Sequence, residues 1–165
     1  MRKLVKSDDP VLKCLAEPWD FEKDTDAAEL EIDMVQTMVM SNGIGLAANQ
    51  IGVAKRVFAI KLENQVPFCM FNPAITSHSK DSVDSEEGCL SFPDLFLKVK
   101  RYSTVTVEYL DRKGQKCIME LSGLDAKCFQ HELDHLDGIC FTSKISPLKL
   151  AMAIKKQRKR NGRTK

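Results

Sequence analysis

The run His131-Glu132-Leu133-Asp134-His135 limits what this chain can become. On a helix, residues four apart lie on one face, so the two imidazoles come within reach of a single ion. Glu132, beside the first of them, is then placed to handle protons next to that ion. The plainer alternative is a helix with two partly buried, hydrogen-bonded histidines. The surroundings favour a helix: Ser122-Gly123 precede it, Gly138 closes it after about Leu136, and Phe129 and Leu133 are positioned to face a core.

A catalytic ion of this kind takes about three protein ligands and keeps one position open. The third ligand cannot follow the two commonest patterns. Position 141, where a metzincin has histidine, is Phe141, and no glutamate follows Glu132. His78, the only other histidine, lies between Ser77 and Ser79, where a solvated ring is expected. That leaves an upstream cysteine or carboxylate. Cys89 is best placed, in Glu86-Glu87-Gly88-Cys89-Leu90-Ser91-Phe92-Pro93, where the glycine permits an unusual backbone angle and the proline fixes the exit. Cys128, one turn before His131, is a second candidate.

The rest of the chain reads as an α+β domain, with antiparallel or mixed strands around the central helix and a further helix at the C-terminal end. Leu30, Met34 and Met38 recur four apart between Ala27 and Met40, as on a helix stopped by Asn42-Gly43. Val57–Ile60 and Phe68–Phe71 read as short buried strands, the second ended by Asn72-Pro73, and residues 76–86 read as a polar surface loop. Thr104–Leu110 and Lys116–Leu121 flank Asp111–Gln115 as a hairpin. Ser146-Pro147 opens the last helix, with Leu148, Ala151 and Ile154 available to pack inward.

Charge divides the chain unevenly. Residues 155–165 carry seven positive charges and no negative one, leaving a body of 18 basic and 23 acidic residues, net −5. We therefore separate a catalytic unit, 1–154, from a basic tail, 155–165. No run of about 18 apolar residues exists, so no membrane partner is expected. Met1–Asp9 lacks the apolar core of a signal peptide, which points to the cytosol. None of the six cysteines form a Cys-x-x-Cys pair, so thiols are expected rather than disulfides.

Three segments together resemble the peptide deformylase family: Gly43-Ile44-Gly45-Leu46-Ala47-Ala48-Asn49-Gln50, Glu87-Gly88-Cys89-Leu90-Ser91, and Gln130-His131-Glu132-Leu133-Asp134-His135. Their order and spacing are the family's, and the likeness runs from about Leu30 through Pro147. Asn49 stands where proline, threonine or serine is more familiar, and Phe96 where another residue is often found. The resemblance implies hydrolysis of the formyl group from N-formylmethionine on nascent peptides. It implies Cys89, His131 and His135 as metal ligands, Glu132 as the acid/base, and Gln50 with the backbone N–H of Leu90 as the oxyanion site. It also implies strand-like pairing of Gly43, Ile44 and Gly45 with the substrate; Ile44, Leu124 and Cys128 are candidates for the methionine pocket, with ordinary core packing as the alternative for each. Cys/His/His alone would suggest zinc. The family implies Fe2+, with Zn2+, Ni2+ or Co2+ able to replace it.

Such a substrate emerges from a ribosome, so the basic tail is a candidate contact with ribosomal RNA, without sequence-specific nucleic-acid recognition. The host implied is a bacterial or phage-infected bacterial cytosol. A rival reading makes Cys89, Cys128, His131 and His135 a closed structural zinc site, with the tail gripping nucleic acid. It leaves Glu132 without a role, and no aromatic residues interleave the tail's charges.

Overall fold

The computed structural model describes residues 2–24 and 26–162. Helix α1 spans Ala27–Met40, α2 Gly123–Leu136 and α3 Pro147–Asn161. The strands are β1 Gly45–Ala47, β2 Val57–Ile60, β3 Phe68–His78, β4 Ser82–Cys89, β5 Phe92–Tyr102, β6 Thr104–Leu110 and β7 Lys116–Ser122. Five of them form one sheet in the order β1-β2-β3-β6-β7, and β4-β5 form a second. Every pairing between these strands is antiparallel. None of the described helices is long and apolar enough to cross a membrane.

Helix α1 begins where Asp26 accepts hydrogen bonds from the N–H groups of Ala28 and Glu29, satisfying donors that the first turn leaves open. Its stripe of Leu30, Met34 and Met38 is buried. The helix stops with Asn42 in the left-handed region (φ 56°), after which Gly43 donates back to the carbonyl of Met38.

Strand β2 is buried at every position because both faces of the sheet are covered. Val57 and Ala59 join the cluster of α1 residues, whereas Phe58 and Ile60 join Phe129 and Leu136 of α2. Successive strand residues point to opposite faces, so α1 and α2 must lie on opposite sides of the large sheet. Helix α2 thus runs through the middle, with the large sheet on one side and β5 also in contact with it. The α+β architecture expected from the sequence is the one observed, including the central His-Glu-x-x-His helix.

Two strand readings need correction. Strand β3 continues through Asn72-Pro73 to His78, because the proline falls where the register with β6 shifts and removes no ladder hydrogen bond. Residues 76–86 are not a loop: they hold the end of β3 and most of β4. The inward residues of β4 include Ser85 and Glu87, both buried, so polarity there hid a strand.

Helix α3 is capped by Ser146, whose hydroxyl accepts from the N–H of Lys149. Its inner face differs from the one expected. Leu150, Ala153 and Ile154 pack on Leu95, Leu97, Val99 and Phe141, while Leu148 is 72% exposed. The seat is the outer strand β5, which meets the helix one position away from the stripe that Leu148 and Ala151 belong to. Of the tail, Arg163 and Lys165 lie outside the described residues.

Candidate metal centre

The three sequence segments converge at one end of α2. Helical spacing sets His131 and His135 on one face, with ring centroids 5.0 Å apart. Cys89 comes to them from the tip of the β4–β5 hairpin, where it pairs with Phe92 after a register shift that follows Glu87. The ligand atoms of Cys89, His131 and His135 all lie within 4.8 Å of one another, and Cys89 Sγ is 3.2 Å from His135 Nε2.

This donor set fits a divalent ion. One sulfur and two imidazole nitrogens suit zinc, iron, nickel or cobalt. His131 is oriented from behind, its Nδ1 donating to Glu87 Oε2 at 2.8 Å, which leaves Nε2 for the cluster. The imidazole of His135 is held neutral: burial, then the nearby charges of His131 and Arg101, push its pKa down to about 3. Burial also disfavours charge on His131, but its hydrogen bonds to Cys89 and Glu87 outweigh this and bring it up to about 10. An ion must compete with that proton, as at most metal sites. Cys128 does not join the cluster. Its Sγ is directed at the carbonyl of Ile44, 3.5 Å away, which removes the fourth ligand of the closed zinc reading.

Glu132 is buried, and its Oε2 has no hydrogen-bond partner among the described residues. Burial raises its pKa to about 7, with His131 pulling the other way. A carboxylate near neutrality, with a bare oxygen beside a metal cluster, is equipped to accept a proton and return it. Gln50 sits in the single helical turn Ala48–Ile51 that follows β1. Its Oε1 accepts from the N–H of Ala47 at 2.8 Å, so Nε2 turns toward the site, 3.1 Å from Ser91 Oγ and 3.5 Å from Cys89 Sγ. Gly45 is required by crowding: a Cβ there would lie 2.7 Å from Glu132 Cδ and 2.8 Å from Cys128 Sγ.

A cleft of about 580 Å³ opens onto this cluster. It is lined by Gly43, Ile44, Gly45, Gln50, Cys89, Leu90, Leu124, Cys128, His131 and Glu132. Every site residue expected from the sequence therefore reaches the cleft or the metal cluster, with His135 in the cluster. Gly88 differs in its reason. It does not take a positive φ, and the space its side chain would fill is occupied by Phe96.

The sequence reading missed the support behind His131. Arg101 on β5 is buried and grips Glu87 with two hydrogen bonds, of 2.8 and 2.9 Å. Its third arm reaches Asp134 on α2, which Lys144 also contacts at 2.8 Å. A signal was present, since Arg101 follows Leu95, Leu97 and Val99 at the inward positions of an alternating strand. Asn49, the unfamiliar residue of the first segment, donates from Nδ2 to the carbonyl of His135 and ties that turn to the end of α2.

A fold that seats a His-Glu-x-x-His helix between two antiparallel sheets, at the floor of an open cleft, is that of a mononuclear metal-dependent hydrolase. The polypeptide deformylase family profile matches residues 1–151. A peptide deformylase of Rhizobium meliloti is 41% identical over 160 residues, covering 94% of this chain and 91% of that protein. A crystal structure of a peptide deformylase from Legionella pneumophila superposes with a TM-score of 0.88 at 37% identity, covering 99% and 97%. That of the Vibrio parahaemolyticus bacteriophage VP16T, in complex with actinonin, gives 0.78 at 39%, covering 84% and 98%. The chain belongs to the polypeptide deformylase family, metal-dependent hydrolases that remove the formyl group from nascent peptides.

The Glu87 ion pairs carry a pH signature. Burial alone would raise the Glu87 carboxyl, but hydrogen bonds from Arg101 and His131 reverse this and hold it at about 2, below the ordinary 4.5. A carboxyl lowered in this way stabilises the fold above its ordinary pKa, and that contribution is lost as pH falls toward about 2. With chelator present, unfolding free energy should drop across this window by up to about 3 kcal/mol more in wild type than in Glu87→Gln. Parallel pH slopes in urea titrations would remove Glu87 from this role.

Proposed function

We propose that Cys89, His131 and His135 hold the ion, that Glu132 moves the proton, and that Gln50 and the N–H of Leu90 bind the developing oxyanion. The observation that carries this reading is the unpartnered Oε2 of Glu132 beside the three converging ligand atoms, at the floor of the cleft. The ion, when bound, polarises the formyl carbonyl and the attacking water. Glu132 accepts a proton from that water as oxygen adds to the formyl carbon. Negative charge then builds on the carbonyl oxygen, where Nε2 of Gln50 and the N–H of Leu90 donate; such a donor contributes roughly 2.7–4 kcal/mol to a transition state. Glu132 returns the proton to the departing nitrogen, the C–N bond breaks, and formate and a free N-terminal amine result.

The peptide lies along Gly43, Ile44 and Gly45 as an added strand, the arrangement suited to chains varied beyond their first residue. Ile44, Leu124 and Cys128 receive the methionine side chain, which their apolar lining of the cleft supports. Residues 1–154 are the catalytic unit, and its setting is the cytosol of a bacterium or phage-infected bacterium. Cys89→Ala should lose the ion and nearly all activity. Glu132→Gln should keep the ion and lose activity by about 10²–10⁴-fold. Metal content by elemental analysis separates the two, and full occupancy in Cys89→Ala would overturn the ligand assignment.

The resident ion in this reading is Fe2+, which the family resemblance supports. Iron and a thiolate ligand both oxidise, so exposure to air should inactivate the purified enzyme, and reconstitution with Ni2+ should lengthen its working life. Equal air stability of the native and nickel forms would argue for zinc.

Residues 155–165 form the ribosome contact in this proposal, supported by a sequence that holds seven basic residues and no acidic one. Replacing Lys155, Lys156 and Lys159 by alanine should weaken cosedimentation with ribosomes. It should also flatten the salt dependence by about 0.7–0.9 for each phosphate that is no longer neutralised. Identical salt series for both proteins would return the tail to a solvated terminus.

A further inference from the structure

The cleft has an outer wall, Pro93-Asp94-Leu95-Phe96, at the start of β5. The register of β4 with β5 shifts here, between the pairs Glu87–Leu97 and Cys89–Phe92. Asp94 adopts φ 61°, a left-handed conformation that costs a non-glycine residue about 1 kcal/mol or more and persists only where neighbours impose it. Phe96 is 51% exposed, and the turn ahead of it lies at the cleft mouth.

The neighbours that impose it come from α3. Gln157 Nε2 donates to the carbonyl of Pro93 at 2.7 Å, and a terminal nitrogen of Arg160 donates to the carbonyl of Asp94 at 2.8 Å. Asn161 Nδ2 reaches the Asp94 carboxylate at 3.4 Å. The Arg160 guanidinium also stands over the Phe96 ring, 5.7 Å from its centroid, a cation–π distance. The same ring packs on Gly88, where a Cβ would lie 2.9 Å from Cε1. One glycine and one arginine thus hold the aromatic ring. Beneath them, Leu150, Ala153 and Ile154 join the cluster of Leu95, Leu97 and Val99, so helix and wall share one small core.

We propose that the last turns of α3, outside the catalytic unit itself, brace its substrate site: Gln157 and Arg160 are positioning residues that preset the Pro93–Phe96 wall for the peptide chain behind the formylmethionine. Neither residue touches the reacting atoms. Their action is on binding of longer substrates, because a wall already in place spares the peptide the cost of ordering it. Chemistry at the metal end of the cleft is left to other residues.

The test uses the metal-loaded full chain with Gln157→Ala and Arg160→Ala combined, and Lys149→Ala as a control that removes one charge from the same helix. Steady-state kinetics on formyl-Met-Ala and on a formyl hexapeptide supply the readout, with metal content and melting temperature measured alongside. The double variant should raise KM for the hexapeptide about fivefold to tenfold, the scale of one or two hydrogen bonds removed. KM for the dipeptide and kcat for both should stay within about twofold of wild type, as should every value for Lys149→Ala. An unchanged hexapeptide KM, with or without a lower melting temperature, would overturn the proposal. So would an equal rise for both peptides, or loss of metal. The inference rests on the cleft being the peptide site, which Gly45→Ala tests by itself through its crowding of Glu132. Wild-type turnover by Gly45→Ala would bring down both readings, whereas an inactive Gly45→Ala beside an unaltered double variant brings down only the role of α3.

Discussion

The paired grip of Arg101 on Glu87 holds the metal end of this molecule together. Both side chains are buried, and removing charges from water is costly enough that such a pair often adds little net stability. What it supplies is position. Glu87 sits on one strand of the small sheet, Arg101 on the other, and their remaining bonds run to His131 and Asp134 on α2. The β4–β5 hairpin can therefore dock on the helix in one arrangement that leaves no charge unanswered. That arrangement brings Cys89, at the hairpin tip, to the two histidines.

The division of labour between the sheets follows. The large sheet, covered by α1 on one face and α2 on the other, is closed by ordinary apolar packing and supplies rigidity. The small sheet reaches α2 with polar residues on its inner side, and it carries Cys89. A cleft forms where the two sheets part. Its two sides are the glycine-rich approach to β1 and the turn into β5, with Glu132 between them on the floor.

Most of this was legible in the chain wherever a pattern had one physical cause. The periods of α1 and α2, the hairpin β6–β7 and the proline opening of α3 all reflect apolar burial or capping, and their bounds lie within a few residues of those expected. The pairing of His131 and His135 was legible because helical spacing constrains them so tightly. Strand β4 was not, since its buried face is Ser85 and Glu87, and buried polar residues look like surface in a sequence. The inner face of α3 was misread for a related reason: alternative apolar stripes one residue apart are equal in sequence, and only the position of β5 chooses between them. Arg101 was missed because a lone arginine ordinarily signals solvent. Its partners are 14 and 33 residues away, a separation that no local pattern spans.

The large sheet ends at β1, a strand only three residues long whose free side faces the cleft. An unpaired strand edge is a hazard to any protein, because it offers main-chain donors and acceptors to whatever extended chain drifts by, a second copy of itself included. Here the edge cannot be blunted by a bulky or charged side chain, since Gly45 must stay bare for Glu132 and Cys128 to fit behind it. Brevity does the work instead. Three residues, walled in by the turn into β5, are too few to template a fibril. In the proposed reaction they are enough for a guest that leaves when its first residue has been dealt with.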